Sequence, residues 1–353
     1  MSKKKRSVKD AAAEAAKDEV PADVDELRRE VKRLHREARQ RQGRTQLIID
    51  HVAAGLEAHT APVAPPRPKR GRRKRRESHL LHLSDWQTGA RTPTFDTQVQ
   101  REMVLDVMLP KLRKIHATRA EAASVDEIHV VLGGDQVDGS GMRSNHPWEV
   151  TETVLTQAME TCPRLTVEVI LALMDLYPKV HVHAIRGNHG RSGPRKADPN
   201  PESVNWDTVA NMAARLMLGD LVDDDRLSFH VEIEDFVTTF ACGGAIVATV
   251  HGDQFRGTGG FAGLPYYSIA AKVAKWSLNQ VFDEDFDVLL FGHYHVPAAG
   301  MFGPKQWYLN GSLQTDSPFA REKIGATNRA CQRFQVYDPD HNYPIADHLL
   351  WLS

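Results

Sequence analysis

Few cysteines, no long apolar run and almost no net charge set the first limits on this 353-residue chain. The three cysteines, Cys162, Cys242 and Cys331, are far apart and odd in number, and no C-x-x-C pair occurs. A disulfide framework and a thiolate-held zinc site are therefore excluded, and buried thiols in a reducing cytosol are expected. No segment approaches the roughly 18 apolar residues of a membrane span, and no apolar signal core follows the Lys/Arg-rich start, so no membrane role is expected. No G-x-x-x-x-G-K-[ST] loop is present, so ATP-driven action would need a separate ATPase partner. No repeat with a period of about 20–50 residues is visible. The formal net charge of −1 hides an asymmetry. Residues 1–77 carry about +10 and the remainder about −11.

What is present suffices for one large catalytic domain with an N-terminal extension, and 41% hydrophobic residues support a core. Residues 1–21 read as a polar, charged tail. Residues 22–58 read as a helix, with Val24, Leu27, Val31, Leu34 and Ala38 at 3–4 spacing and Ile48 and Val52 resuming the register. Only two heptads are clean, so the stretch is either a short coiled coil that pairs two copies or a lone solvated helix. Residues 59–77 read as a linker, Pro-rich in APVAPPRP and then strongly basic. Its cations, Lys69, Arg70, Arg72, Arg73, Lys74, Arg75 and Arg76, suit a phosphate backbone, and DNA is the expected partner. A solubilising tether is the plainer alternative. No aromatic residue interleaves the run, so base stacking by it is not expected. The run would act as a nuclear import signal only in a eukaryotic source. Otherwise the cytoplasm of a bacterial or phage-infected cell is the expected setting.

The catalytic domain is expected over 78–353, as a two-sheet α/β sandwich flanked by helices. Strands are predicted at HLLHLS, EIHVVLGG, VHVHAI, 228–233, 237–241, 245–250, FDVLLF, 306–310 and 331–337. Helices are predicted over 97–118 with an interruption near Pro110, over 148–176 with a break near Pro163, over 205–218 and near 268–280. Asn205 and Asp207, at one helix start, read as caps.

Five short segments carry the chemistry: HLSDWQ (82–87), GGDQVDG (133–139), GNHG (187–190), HGDQ (251–254) and GHYH (292–295). Each follows an apolar strand run, so all five converge on one sheet edge. Asp85, Asp135, Asn188, His251, His293 and His295 offer two carboxylates, an amide oxygen and three imidazoles. This mixed set suits Mn, Fe, Zn or Co, and is too nitrogen-rich for Mg or Ca alone. Two such metals can share a carboxylate and a hydroxide that attacks phosphorus, which makes a phosphodiester the natural substrate. A lone His or G-D turn would carry little weight; the ordered set of five carries much more.

These segments resemble the calcineurin-like metallophosphoesterases, whose pattern runs D-x-H, G-D-x-x, G-N-H-[DE], H and G-H-x-H. The resemblance spans about residues 78–315, and NGSL (310–313) shares it. It implies a four-layer fold and two divalent metals, with Mn favoured and Fe or Zn as alternatives. One metal would take Asp85, Gln87, Asp135 and His295; the other Asp135, Asn188, His251 and His293, with Asp135 bridging. His189 would act on the leaving group or the transition state. Two positions depart from the pattern. Gln87 replaces the usual His and offers a weaker donor or a group just outside the ligands. Gly190 replaces the acid that orients the catalytic His, so some other group must set the tautomer of His189.

GDQVDGSGMRSN and GNHGRSGPRKADPNP are similar to stretches in DNA exonucleases, namely the nuclease subunit of double-strand-break repair complexes and the small proofreading subunit of archaeal family-D DNA polymerases. That points to an exonuclease-like enzyme in a replication or recombination assembly. Arg143 and Arg191 are candidate phosphate-binding residues, or plain solvated loop arginines. The alternatives are a small-molecule phosphodiesterase or phosphatase, and a non-catalytic nucleic-acid-binding accessory protein with a degenerate metal site.

Overall fold

The computed structural model describes residues 62–69, 75–140, 148–191, 205–223, 225–255, 264–282, 284–317, 321–322 and 328–353. The expected tail at 1–21, the helix at 22–58 with its dimer seam, and Arg70, Arg72, Arg73, Lys74 and Arg143 lie outside those residues. Among the described residues no helix is long and apolar enough to cross a membrane.

Two sheets form the frame. β1 (Arg76–Leu83), β2 (Ser124–Gly133), β3 (Lys179–Ile185) and β4 (Leu227–Val231) run parallel, and β10 (Cys331–Tyr337) and β11 (Ala346–Trp351) extend them antiparallel in the order β11-β10-β1-β2-β3-β4. The second sheet has the order β5-β6-β7-β9-β8, from β5 (Val237–Cys242), β6 (Ala245–Val250), β7 (Val288–Phe291), β8 (Ala298–Phe302) and β9 (Lys305–Leu309). Here β6, β7 and β9 are parallel and the outer strands antiparallel. Parallel strands covered on both faces need apolar residues at nearly every position, which is why LLHL and VVLG read as continuous runs.

Alternation along the strands builds four layers. Leu81, Leu83, Val130, Leu132, Val182 and Ala184 face the helices α1 (Thr97–Glu102), α2 (Leu109–Ala120), α4 (Cys162–Met174) and α5 (Trp206–Leu218), and the single turn α3 (Val154–Thr156) leads towards α4. Leu80, Val131, Val247, Val288 and Leu290 meet between the sheets. Ala248, Val250, Leu289 and Phe291 pack against α6 (Tyr266–Leu278) through Ile269, Val273 and Trp276. The expected sandwich with flanking helices is the observed fold.

The two prolines do not break their helices. Pro110 and Pro163 lie in the first turns of α2 and α4, and in both cases the turn before is a π-helix, Met103–Met108 and Gln157–Thr161. Proline has no N–H and its ring crowds the carbonyl four residues back. A widened turn relieves that crowding and keeps the rod continuous. The second of these helices starts at Val154 and not near 148, because Thr153 caps it, its hydroxyl accepting from Thr156 N at 3.1 Å. Strands β8 and β11 were not expected: AAGM and ADHLL lack a clear apolar alternation.

β1 begins at Arg76, so Arg76 and Glu77, expected in the linker, are the first residues of the sheet. Ahead of them, Pro65 O accepts from Arg226 Nη1 at 2.7 Å and Arg67 pairs with Asp225, both just before β4. The described part of the linker is thus strapped to the edge where β1 and β4 start.

Arg333 ties the two sheets together. It is buried on β10, donates to Ala298 O at 3.1 Å and Leu309 O at 3.0 Å, and pairs with Asp347. Arg333→Leu strips these donors from two carbonyls and should cost about 2–4 kcal/mol. Urea unfolding should show a lower midpoint with an unchanged slope; an unchanged midpoint would refute the role.

Candidate two-metal centre

Loops leaving the C-terminal ends of β1, β2, β3, β6 and β7 bring Asp85, Asp135, Asn188, His251, His293 and His295 to one edge of the sandwich. That edge of a parallel sheet is the usual place for a ligand, because no crossover connection covers it. Of the seven non-glycine residues with positive φ among the described residues, five are Asp85, Gln87, Asp135, His293 and His295. Left-handed backbone costs a residue with a Cβ about 1–2 kcal/mol. Such strain persists only where the surroundings over-determine it.

The surroundings do so here. The β1 and β2 loops are zipped by Asp85 N→Gly134 O, Gln87 N→Asp135 O, Thr88 N→Gln136 O and Asp138 N→Thr88 O, each 3.0 Å. NGSL supports the first loop from behind. Asn310 Nδ2 donates to His82 O at 2.9 Å, and Ser312 Oγ and Leu313 N donate to Asp85 O at 2.9 and 3.1 Å. The Asp85 carboxylate accepts from Ser84 Oγ at 2.6 Å and His293 N at 3.0 Å.

Acceptors then crowd together. His251 Nδ1 lies 2.9 Å from Gly133 O, so that nitrogen carries the proton. Its Nε2 faces Asp135 Oδ2 and Asn188 Oδ1, each at 3.1 Å. In a neutral imidazole Nε2 is a lone pair, so three acceptors converge and only a cation or a proton on Nε2 can satisfy them. Asp135, His251 and His293 each place one donor atom within 4.8 Å of the others. On the other side of Asp135, His295 Nε2 is 3.4 Å from Asp85 Oδ1 and 3.5 Å from the Gln87 amide, which is itself 3.4 Å from Asp135 Oδ2. Atoms about 2.1 Å from one metal stand about 3.0–3.4 Å from each other, the range of the contacts His251 makes on one side and His295 and Gln87 make on the other.

The electrostatics agree. Burial works against ionisation of Asp135, yet His251 and His189 hold its carboxyl far below the ordinary range. Burial also opposes charge on His251, and Asp135 overcomes it, pushing His251 up to about 10. Burial and the nearby His251 push His293 down to about 4. A buried anion thus draws positive charge onto one imidazole while the next stays neutral, the state in which a nitrogen can bind metal.

Gln87 is fully buried, and its Oε1 has no hydrogen-bond partner while its Nε2 points at Asp135 and His295. Turning the amide over exchanges the two atoms. The oxygen then faces Asp135 and His295, where it suits a cation.

His189 finds its orienting acid elsewhere than at 190. Its Nδ1 lies 3.0 Å from both Oδ1 and the backbone O of Asp138, so Nδ1 donates and Nε2 faces the site, 4.0 Å from Asp135 Oδ2. Burial lowers the His189 pKa, but Asp135 and Asp138 raise it, to about 9. Position 190 has no room for an acid: a Cβ there would overlap Asn205 Oδ1 and stand 2.8 Å from Asp207 N. Asp138 lies inside GGDQVDG, so the sequence held the signal. Asp207 and Asn205 do more than cap α5, since both reach the metal-edge loops.

Arg191 is brought to the site, where it pairs with Asp253, two residues past His251. Lys69, Arg75 and Arg76 are not; Arg75 and Arg76 stand at the start of β1. At a rise of about 3.3 Å per residue, that is about 23 Å from the candidate ligands.

The family model for calcineurin-like phosphoesterases matches residues 78–297, more than half of the chain and all five metal-edge loops. The chain belongs to the calcineurin-like phosphoesterase family. Membership supports a phosphoester hydrolase, and the family uses divalent metals. No curated protein matches it. Among solved structures it is similar to a hypothetical protein from Pyrococcus horikoshii OT3, with 13% identity and a TM-score of 0.40 over 78% of this chain and 89% of that one. Wild-type Vps29 complexed with zinc, from Entamoeba histolytica, shows 12% identity and a TM-score of 0.32 over 78% and 99%. A novel archaeal phosphodiesterase shows 11% identity and a TM-score of 0.33 over 77% and 99%. Likeness at this level bears on neither substrate nor activity.

In this phosphoesterase the Gln87 amide is a weaker donor than imidazole. Gln87→His should lower the Mn concentration for half-maximal activity and tighten the weaker of two calorimetric binding steps. Coincident titration curves would remove Gln87 from the ligand set.

Proposed function

We propose that the protein is a divalent-metal-dependent phosphodiesterase that hydrolyses DNA, acting as an exonuclease-like enzyme. The hydrolytic part rests on one observation: buried carboxylates, an amide and imidazoles crowd around Asp135 beside a histidine whose Nε2 faces them. Bound there, two divalent ions, Mn first and Fe or Zn as alternatives, supply Lewis acidity to phosphate oxygens and make water acidic enough to attack. The chain's own residues do the rest. Asp135 lies between the groups Asp85, Gln87, His295 and Asn188, His251, His293. Asp138 holds Nδ1 of His189, which aims Nε2 at the site, and in the protonated ring that nitrogen can pass its proton to the leaving oxygen.

DNA is proposed as substrate from the likeness of the GD and GNH loops to DNA exonucleases and from the basic run. Homodimerisation through 22–58, a separate ATPase or recombination partner and a cytoplasmic setting belong to the same proposal. A small-molecule phosphodiesterase is the second reading, favoured by Arg75 and Arg76 standing at the sheet edge opposite the metal ligands. A non-catalytic accessory role would give no turnover of any diester.

Turnover of bis-p-nitrophenyl phosphate and of linear and single-stranded DNA with Mn separates these readings. Asp135→Asn should abolish both activities and lower bound metal. His189→Gln should lose about 10²–10⁴ in rate and keep both metals. Replacing Lys69, Arg70, Arg72, Arg73 and Lys74 with Gln should weaken DNA binding and flatten its salt dependence, with the small diester turned over as before. Turnover of the small diester without cleavage of DNA would leave the second reading standing.

A further inference from the structure

Behind the candidate ligands lies a further buried carboxylate, Asp207, in the first turn of α5. A carboxylate there would ordinarily accept from its own helix. Asn205 already does that work, its Oδ1 accepting from Asp207 N at 2.8 Å. The Asp207 carboxylate turns outward instead. Oδ2 accepts from Asp135 N at 2.8 Å and Gly187 N at 2.7 Å, and Oδ1 accepts from Val137 N at 3.0 Å. One side chain thus joins the loop after β2 to the loop after β3. Asn205 closes the same brace by donating from Nδ2 to Gly187 O at 2.8 Å. The loops approach so closely that a Cβ at Gly187 would overlap Asp135 Oδ1.

Reading the edge as a two-metal phosphodiesterase centre, we propose that Asp207 is the positioning residue that sets the spacing between Asp135 and Asn188, and so the distance between the two metals. Asp135 takes part in both sites, while Asn188 and His189 enter from the other loop. Any slip between the loops moves one metal, or the proton of His189, relative to the other. A carboxylate is suited to this because it accepts three N–H groups at once, which a neutral amide of the same size cannot. Its charge lies next to that of Asp135, and such a pair is tolerable where cations sit in front of it.

The test uses the full-length protein and Asp207→Asn. With Mn at the concentration that saturates both calorimetric steps, the wild type should show the exchange-coupled EPR signal of a bridged Mn pair. The variant, folded by circular dichroism, should show mostly uncoupled Mn and bind it about 10–100-fold more weakly by calorimetry. Its kcat on bis-p-nitrophenyl phosphate should fall while KM changes little. Should Asp207→Asn fail to fold, Asn205→Ala opens the brace from its other end and should weaken the coupled signal in the same way. A folded variant with wild-type coupling, Mn affinity and kcat overturns the proposal. A wild type that holds the coupled pair but hydrolyses no diester overturns the functional reading alone. A wild type with no coupled pair overturns both.

Discussion

A buried anion, Asp135, is the constraint on which the rest of the molecule depends. It has no exposed surface; its Oδ1 accepts from His189 N at 2.8 Å and its Oδ2 faces His251 Nε2 at 3.1 Å. Removing such a group from water is costly unless positive charge accompanies it. Among the described residues that charge comes from His251 and His189, both pushed well above the ordinary imidazole range. Divalent ions meet the same need more fully, and they bring the Lewis acidity the family uses. The site is therefore an electrostatic deficit of the kind a metal can fill.

Much of the local structure keeps that deficit from relaxing. Five strained, left-handed residues surround it. The NGSL loop holds Asp85 from behind, the paired β1 and β2 loops hold Gln87 and Asp135, and α5 holds the GNH loop through Asn205 and Asp207. Support of this kind matches what outer groups do at metal sites, fixing the orientation of ligands that would otherwise turn away. Gly190 shows how far the arrangement is coupled: the space of the family's usual acid is taken by the helix cap, and the orienting role falls to Asp138.

The layered fold and the meeting of the five segments were legible because parallel strands covered on both faces write continuous apolar runs, with the ligands directly after them. Asp138 was legible in principle, three residues past Asp135. Asp207 was not, since an acid at a helix start looks like a cap until the neighbouring loops are in place. Prolines 110 and 163 suggested helix breaks, because sequence shows the missing N–H but not the widened turn that absorbs it. β8 and β11 escaped notice for want of an alternating pattern. The basic run promised contact with substrate, yet Arg75 and Arg76 enter the sheet at the far edge, a placement that only strand direction reveals.

The central claim is that Asp135 lies between two cation sites of different composition. A crystal grown with Mn, measured at the Mn absorption edge, tests it most directly. The account predicts two anomalous peaks flanking Asp135, one bounded by Asp85, Gln87 and His295 and the other by Asn188, His251 and His293. The peak beside Gln87 should be the weaker at limiting Mn. A single peak, or none at this edge of the sheet, would contradict it.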